Sequence, residues 1–489
     1  MVFEFPFSKT NLPKQLFINN EYVDSTSGKK LAVRNPKDDS PLADDVGLAG
    51  EDDVDRAVAA AAAAFKTWRR TTASHRRTLL NRLADLIEAN AVALAELTRL
   101  SLGTPVSSFG KFEIGVASEA LRYYAGWTDK FEGQSMPEDD GFLKIIRNEP
   151  LGVCAGITPW NGPLATVSMK LGPALATGNV FLLKPSEKTP FASLALGSLA
   201  KEAGFPPGVV QVLSGDGSTG ALVASHMGVN KVSFTGSTAT GRRIQEMAAK
   251  SNLKRVTLEL GGKSPAVVFD DANLDNAVRC CADAITANSG QVCVAASRVY
   301  VQEGIYDRFA AAYKKTMEER AGTAGDPADK ATLMGPLVDR AQYERVTGFL
   351  ERGKSQGKVL VGGGRIGEEG FYVQPTVFEG VEESAEISRN EIFGPVSVLN
   401  SFRTEEEVVQ RANDTSYGLM AGVFTQDINR ALRLASEMDA GMVGINAISM
   451  IFLNAPFGGS KMSGIGRENA MHSLRAYTEA KTVFINLNY

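Results

Sequence analysis

The 489-residue sequence predicts an α/β fold made of two doubly wound domains and a protruding β arm. Three observations carry this. After Pro150, short β-branched runs alternate with helical stretches. A second alternation of the same kind begins at Pro265. Two further strand-like segments lie outside both series. A chain of this length also exceeds what one ordinary core serves, so two or more domains are expected.

Residues 51–102 are alanine- and leucine-rich, with Leu79, Leu80, Leu83, Leu86 and Ile87 at helical spacing. Glu51, Asp52, Asp53 and Asp55 precede the alanine run 57–64, and acidic residues suit the positive end of a helix. Strands are then expected at 151–157, 180–184, 209–213, 232–234 and 255–259, most of them separated by helical segments, as in βαβ units of a parallel sheet. The second series opens at 265–269 and runs past Phe402, with the joint near Gly261-Gly262. Segments 142–148 and 482–488 form the arm, an element suited to pairing with another subunit.

Composition narrows the function classes. With 44% apolar and 22% charged residues the chain reads as a soluble globular protein. A net charge of -4 gives no basic footprint for nucleic acid, and no apolar run is long enough to cross a bilayer. Met1-Val2-Phe3-Glu4-Phe5-Pro6 lacks the basic and apolar regions of a secretory signal, and Asn486-Leu487-Asn488-Tyr489 is no peroxisomal address, so a cytoplasmic location is expected. Four cysteines (Cys154, Cys280, Cys281, Cys293) argue against a disulfide scaffold, and three scattered histidines (His75, His226, His472) offer no metal cluster.

Cys293 follows Gly290-Gln291 and precedes a strand, which puts a thiol on a loop end facing a cleft, where it can attack a carbonyl carbon. Cys154, in an apolar strand, and Cys280 and Cys281, in a helical stretch, read as small buried hydrophobes. Glu259 closes a strand ahead of two glycines. It is either a surface carboxylate beside a turn or, with Cys293, a base for the thiol, for water, or for both. Asn161, between Pro159 and Pro163, is either part of an ordinary turn or an amide donor held in place for an oxyanion. Phe234 to Gly241 reads as strand, glycine turn and helix start, a place for a pyrophosphate, although it is no G-x-G-x-x-G fingerprint.

TPWN at 158–161, KPSE at 184–187, FTGS at 234–237, ELGGK at 259–263, GQVC at 290–293, EIFGP at 391–395 and PFGGSKMSGIGRE at 456–468 together resemble the aldehyde dehydrogenase superfamily over nearly the whole chain. The resemblance is to its NAD(P)-dependent, non-acylating branch. It implies that Cys293 attacks the aldehyde to give a thiohemiacetal whose oxyanion is held by the Asn161 amide and the Cys293 N–H. Loss of hydride to the nicotinamide then leaves a thioester, and Glu259 activates water for deacylation. Lys170 and Glu468 either relay the proton outward or form a structural ion pair. Glu391 and Phe393 position the nicotinamide ribose and ring, and Trp160 lines the cofactor path. Thr158, Pro159, Lys184, Ser186, Phe234, Gly236, Ser237, Leu260 and Gly261 complete the cofactor set. Glu187 favours NAD over NADP by accepting from the ribose 2′-hydroxyl and repelling a 2′-phosphate, while Lys184 leaves room for some NADP use.

The same resemblance divides the chain into a Rossmann-like dinucleotide-binding domain (1–130 and 149–261), a catalytic domain (262–473) and an oligomerisation arm (131–148 and 474–489). A homodimer or homotetramer acting on a small-molecule aldehyde is expected, with no nucleic-acid or membrane partner. Gly162 and Met169 stand where many relatives carry aromatics, and Thr166, Val292, Val294, Ile451 and Phe457 complete an apolar, open lining. A bulky aromatic or long aliphatic aldehyde suits it. No arginine among these positions awaits a substrate carboxylate, and aromatics for a quaternary ammonium are few, which disfavours semialdehyde acids and betaine aldehyde. Asn469, after Arg467-Glu468, is an unusual choice that the sequence does not explain. A CoA-acylating enzyme is disfavoured by the intact Glu259. A binding protein on the same scaffold would have no need of Cys293, Glu259 and Asn161 together.

Overall fold

The computed structural model describes residues 3–488; Met1, Val2 and Tyr489, at the two ends read above, lie outside the described residues. Its first sheet has eight strands, in the order Glu21–Val23, Leu16–Ile18, Val210–Val212, Val180–Lys184, Val153–Ile157, Lys231–Thr235, Arg255–Glu259 and Gly464–Ile465. The five inner strands are parallel. Chain order runs one way from Val153–Ile157 and the other way from Lys231–Thr235, so these two neighbours flank the topological switch point. Ligands of open α/β sheets bind outside the carboxyl ends of strands at such a point.

Both outer additions were illegible in the sequence. Leu16–Ile18 pairs antiparallel with Val210–Val212, and Gly464–Ile465 pairs antiparallel with Arg255–Glu259, with Glu259 opposite Gly464. The chain therefore returns to the first sheet late, and the Ala470–Ala476 helix that follows buries Leu474 in the same core.

The expected helical stretch is three helices, Glu51–Trp68, Ala73–Ala89 and Ala91–Leu102. Thr72 caps the second by accepting from the His75 N–H at 3.2 Å. Gly103 ends the third at φ +76. Asp53 does more than favour a helix dipole: it is fully buried and its carboxylate accepts from the Gly50 N–H at 3.0 Å and the Ser25 hydroxyl at 2.7 Å.

The second sheet has seven strands, in the order Lys358–Val361, Thr376–Glu379, Val396–Phe402, Ala296–Gln302, Ser264–Val268, Met420–Phe424 and Met442–Ile445, parallel except for the first pair. The arm is a third sheet. Thr478–Asn486 pairs antiparallel with Phe142–Pro150 along its whole length, and Gln134–Met136 adds a third strand. Phe484, Ile485 and Leu487 on the arm are exposed. No helix among the described residues is long and apolar enough to cross a membrane.

Candidate active site

A cleft of about 1110 Å³ opens at the switch point between the two domains. Its walls bring together residues far apart in sequence: Thr158, Pro159, Trp160 and Asn161 after one inner strand, Phe234, Gly236 and Ser237 after its neighbour, and Lys184, Ser186 and Glu187 after a third. Leu260 and Gly261 follow a fourth strand, and Cys293, Glu391 and Phe393 reach in from loops that lead into strands of the second sheet.

The loop carrying Cys293 is held in an uncommon backbone. Asn288, Ser289 and Gly290 follow one another at φ +47, +56 and +74, all left-handed. A Cβ on Gly290 would lie 2.1 Å from the Gly394 carbonyl carbon, so only glycine fits. Side chains pay back the strain locally. The Ser289 hydroxyl donates to the Gly335 carbonyl at 2.6 Å, and the Gln291 amide donates to the Asn288 carbonyl at 2.9 Å while accepting from the Val338 N–H at 2.9 Å.

Asn161 Nδ2 donates to the Gln291 carbonyl at 2.8 Å, and the Asn288 amide donates to the Asn161 carbonyl at 3.2 Å. A side-chain amide has two N–H donors, so one bond to Gln291 leaves the other for an oxyanion. Asn161 also precedes the Pro163–Ala176 helix, whose residues are all buried. Glu113 fixes the start of that helix by accepting from the Leu164 N–H at 2.6 Å. Burial pushes the Glu113 carboxyl up to about 7, against the opposing effect of the Leu164 and Ala165 N–H groups. Sequence reasoning missed Glu113; its one signal is an acid within two residues of the buried Ile114 on a buried helix face.

Desolvation pushes the Cys293 thiol up to about 12, with the Glu391 and Glu259 carboxyls adding to it and the Cys293 and Val294 N–H groups opposing it. These surroundings disfavour the thiolate, and the Cys293 side chain is still partly accessible in the cleft. The cysteines read as inert fit that reading: Cys154 and Cys281 are buried, Cys280 is half-buried, and all four are free.

Glu259 departs from its expected orientation. Its side chain does not line the cleft but turns towards Gly458, where a Cβ would lie 2.6 Å from Oε1. Only 1% of the residue is exposed, and neither carboxyl oxygen has a partner. Burial first, then the Glu468 carboxylate, raises its pKa well above the usual range, and the Lys170 and Arg467 cations oppose the shift. The pairing of Glu259 with Gly464 holds the strand end here, and the Lys170 charge favours this side.

Lys170 and Glu468 are paired, both buried, and share a third member that the sequence did not reveal. The Ser233 hydroxyl donates to Glu468 Oε1 at 2.8 Å, and Lys170 Nζ lies 3.1 Å from Ser233 Oγ. A buried pair satisfied in this way is consistent with either reading given above, the structural pair or the proton relay.

The cofactor side fits a dinucleotide. The hydroxyls of Thr158 and Thr235 face the cleft region without partners, although buried. Ser237 caps the Thr238–Lys250 helix by accepting from the Thr240 N–H at 3.3 Å, which leaves an open, positive helix start at the cleft. Lys184 Nζ lies 3.4 Å from Glu187 Oε2, so the lysine orients the carboxylate at the ribose end. Glu391 accepts from the Gly262 N–H at 2.9 Å, and burial pushes its carboxyl up to about 7. Gly261 leaves room for that carboxylate, since a Cβ there would lie 2.2 Å from Glu391 Oε2 and displace it. Trp160 and Phe393 meet edge to face at 5.2 Å, and Lys188, 5.5 Å over the Trp160 ring, bonds Asp339 at 2.7 Å across the cleft.

Of the residues expected to line the substrate pocket, Val292, Val294, Ile451 and Phe457 belong to one apolar cluster with Cys293, Leu419 and Met420. Val294 is fully buried there and offers no accessible surface. Gly162 and Thr166 are neighbours, a Cβ on Gly162 lying 3.4 Å from Thr166 Oγ1, and Met169 is buried further along the same helix.

Comparison with known proteins bears on this arrangement. The model of the family described as "Aldehyde dehydrogenase family" matches residues 22–483. The mouse protein "Aldehyde dehydrogenase, cytosolic 1" is 46% identical over 480 residues, which is 97% of this chain and 95% of its own length. The NAD+ complex of a Bacillus cereus aldehyde dehydrogenase superposes with a TM-score of 0.95 at 44% identity, covering 98% of this chain and 97% of that one. An indole-3-acetaldehyde dehydrogenase of P. syringae, in complex with NAD+ and IAA, gives a TM-score of 0.95 at 38% identity, covering 98% and 100%.

Proposed function

This chain belongs to the aldehyde dehydrogenase family, and from that premise we propose that it oxidises a bulky aromatic or long aliphatic aldehyde to the carboxylic acid with NAD, through covalent intermediates on Cys293. The observation that carries the reading is the Cys293 thiol in one cleft with the Asn161 amide and a dinucleotide groove.

The sulfur of Cys293 bonds the aldehyde carbon, and the thiol proton passes to Glu259 or to water. The Asn161 Nδ2 hydrogen not held by Gln291, together with the Cys293 N–H, receives the oxyanion. Bound NAD supplies the acceptor for the hydrogen and electron pair that leave the thiohemiacetal carbon. An acyl thioester on Cys293 remains. Glu259, rotated from its place beside Gly458, takes a proton from water; the new oxygen–carbon bond forms, the sulfur–carbon bond breaks, and the thiolate returns. Lys170, Ser233 and Glu468 supply an outward route for the proton from Glu259.

Thr158, Pro159, Trp160, Phe234, Gly236, Ser237, Leu260 and Gly261 form the groove that would hold NAD, with Glu391 and Phe393 at the nicotinamide end and Lys184, Ser186 and Glu187 at the adenine ribose. Glu187 selects NAD, and its pairing with Lys184 limits how far that lysine can favour NADP. The indole-3-acetaldehyde named for the P. syringae relative is an aromatic aldehyde of the class proposed here. The free edges of Thr478–Asn486 and of Met442–Ile445, each at the end of its sheet, suit strand pairing between copies in a homodimer or homotetramer. Four free cysteines suit the reducing cytoplasm.

The test is cofactor reduction with NAD and a panel of aromatic and long-chain aldehydes, run beside Cys293→Ala. Turnover that vanishes in the variant supports the proposal; turnover that survives in it means another nucleophile.

A further inference from the structure

Asn469 begins the Ala470–Ala476 helix but does not cap it, for its side chain makes no bond to that helix. Its backbone sits at φ +60 and ψ 173, a region that in practice only glycine occupies without strain. Ala470 follows at φ +49. Asn469 has no exposed surface, and its Oδ1 has no partner. The one bond its side chain makes runs from Nδ2 to the Phe452 carbonyl at 3.2 Å.

Next to it, the Ala470 N–H donates to the Leu453 carbonyl at 2.8 Å. Among the described residues the segment 449–454 has one other hydrogen bond, the turn contact from the Ala455 N–H to the Phe452 carbonyl at 3.4 Å. Two adjacent bonds, from the two residues after Glu468, thus tie this segment to the core. Within it, Met450 and Phe452 are exposed while Ile451, between them, packs against the Val294, Leu419, Met420 and Phe457 cluster that Val292 and Cys293 also pack against. Glycine at 469 would give the same backbone without strain and would lack only the amide. The chain keeps the strained residue that makes the bond.

We propose that Asn469 is a positioning residue for the aldehyde: its amide fixes the 449–454 segment over the Cys293 thiol and thereby sets which aldehydes reach it. This rests on the reading of Cys293 as the nucleophile. It gives a role to the residue that stood unexplained in the sequence, and it ties the substrate-facing segment to the residue next to Glu468.

Asn469→Gly separates the two contributions, because it relieves the backbone and removes the amide. The expected result is an unchanged or higher Tm, with the KM for a bulky aromatic aldehyde raised about fivefold or more, the effect of one lost hydrogen bond. The KM values for acetaldehyde and for NAD stay as they were. A second readout needs no turnover: the ratio of Cys293 alkylation rates by a benzyl-bearing maleimide and by iodoacetamide, followed on the Cys293 peptide, falls by a similar factor. Aldehyde preference and alkylation ratio both unchanged would overturn the inference. So would a lower Tm with equal losses for every aldehyde and for NAD, which marks a merely structural residue. If the native protein turns over no aldehyde, the dehydrogenase reading fails, and the alkylation ratio alone decides the role of Asn469.

Discussion

Asn161 Nδ2 donates to the carbonyl of Gln291, two residues before Cys293, at 2.8 Å, and it is the group to which the proposed mechanism also gives the oxyanion. Removing the amide removes both functions. Asn161→Ala should lower kcat by about 10²–10³, as expected for loss of one oxyanion donor, with a much smaller change in aldehyde KM. Steady-state kinetics check this, and an unchanged kcat would contradict the assigned role.

Burial, with the Glu468 carboxylate beside it, holds the Glu259 carboxyl well above the usual carboxylate range, so its neutral form persists to higher pH than that of a free carboxyl. Turnover limited by deacylation should therefore rise with pH as this group ionises. Glu259→Gln should show one stoichiometric burst of reduced cofactor and then almost no turnover. The sign of the stability effect follows from the raised pKa. The stability contributed by the neutral carboxyl is fully present below its unfolded value of about 4.3 and is lost as pH rises through the folded value. Glu259→Gln should accordingly melt higher than the native protein at alkaline pH, with the gap closing towards pH 4. Thermal melts across pH read both variants.

Glu187, paired with Lys184 at the ribose end of the groove, should govern cofactor choice. Glu187→Gln keeps the shape and removes the charge that repels a 2′-phosphate. The ratio of kcat/KM for NAD to that for NADP should fall by about tenfold, the size of one charge-assisted hydrogen bond. A ratio that does not move would place cofactor choice elsewhere.

Gly290 has backbone, not flexible side chain, in the space a Cβ would take, and it holds φ +74. Gly290→Ala should destabilise the protein by about 2 kcal/mol or more and disconnect Cys293 from its donors. Activity loss should exceed what the lower Tm explains at the assay temperature; full activity in a stable variant would contradict this account.

The exposed Phe484 and Ile485 on the edge strand Thr478–Asn486 predict that deleting the last ten residues gives a monomer, measured by light scattering. A truncated chain that keeps its native mass would remove the arm from the interface.

Val153–Ile157 and Val180–Lys184 were legible because a strand buried on both faces of a parallel sheet reads as an apolar run, while Arg255–Glu259, with Arg255 exposed, was legible from Val256, Thr257 and Leu258; the spans expected at 180–184 and 255–259 coincide with the observed strands. Leu16–Ile18 and Gly464–Ile465 were not legible: three and two residues carry no periodicity, and their partners lie some two hundred residues away in the chain. The same distinction applies in the site. Cys293, Asn161 and the cofactor residues sit in motifs whose glycines and prolines mark them. Glu113 and Ser233 carry no such mark, because a helix and a strand brought them to their partners through tertiary packing. The orientation of Glu259 lay beyond the sequence as well, since a strand end fixes where a side chain starts but not which of two neighbouring spaces it fills.

The late return of Gly464–Ile465 to the edge beside Glu259 has a consequence for the protein's birth. A ribosome adds about 5–20 residues per second, so roughly 10–40 s pass between the emergence of Glu259 and that of Gly464. Through that interval the nascent chain has its inner strands but no Glu468 to neutralise Lys170, a cation with no exposed surface in the finished fold. The eighth strand of the first sheet and the Lys170–Glu468 pair can form only once the last few dozen residues have emerged, so a chain cut short before them leaves that lysine without its carboxylate.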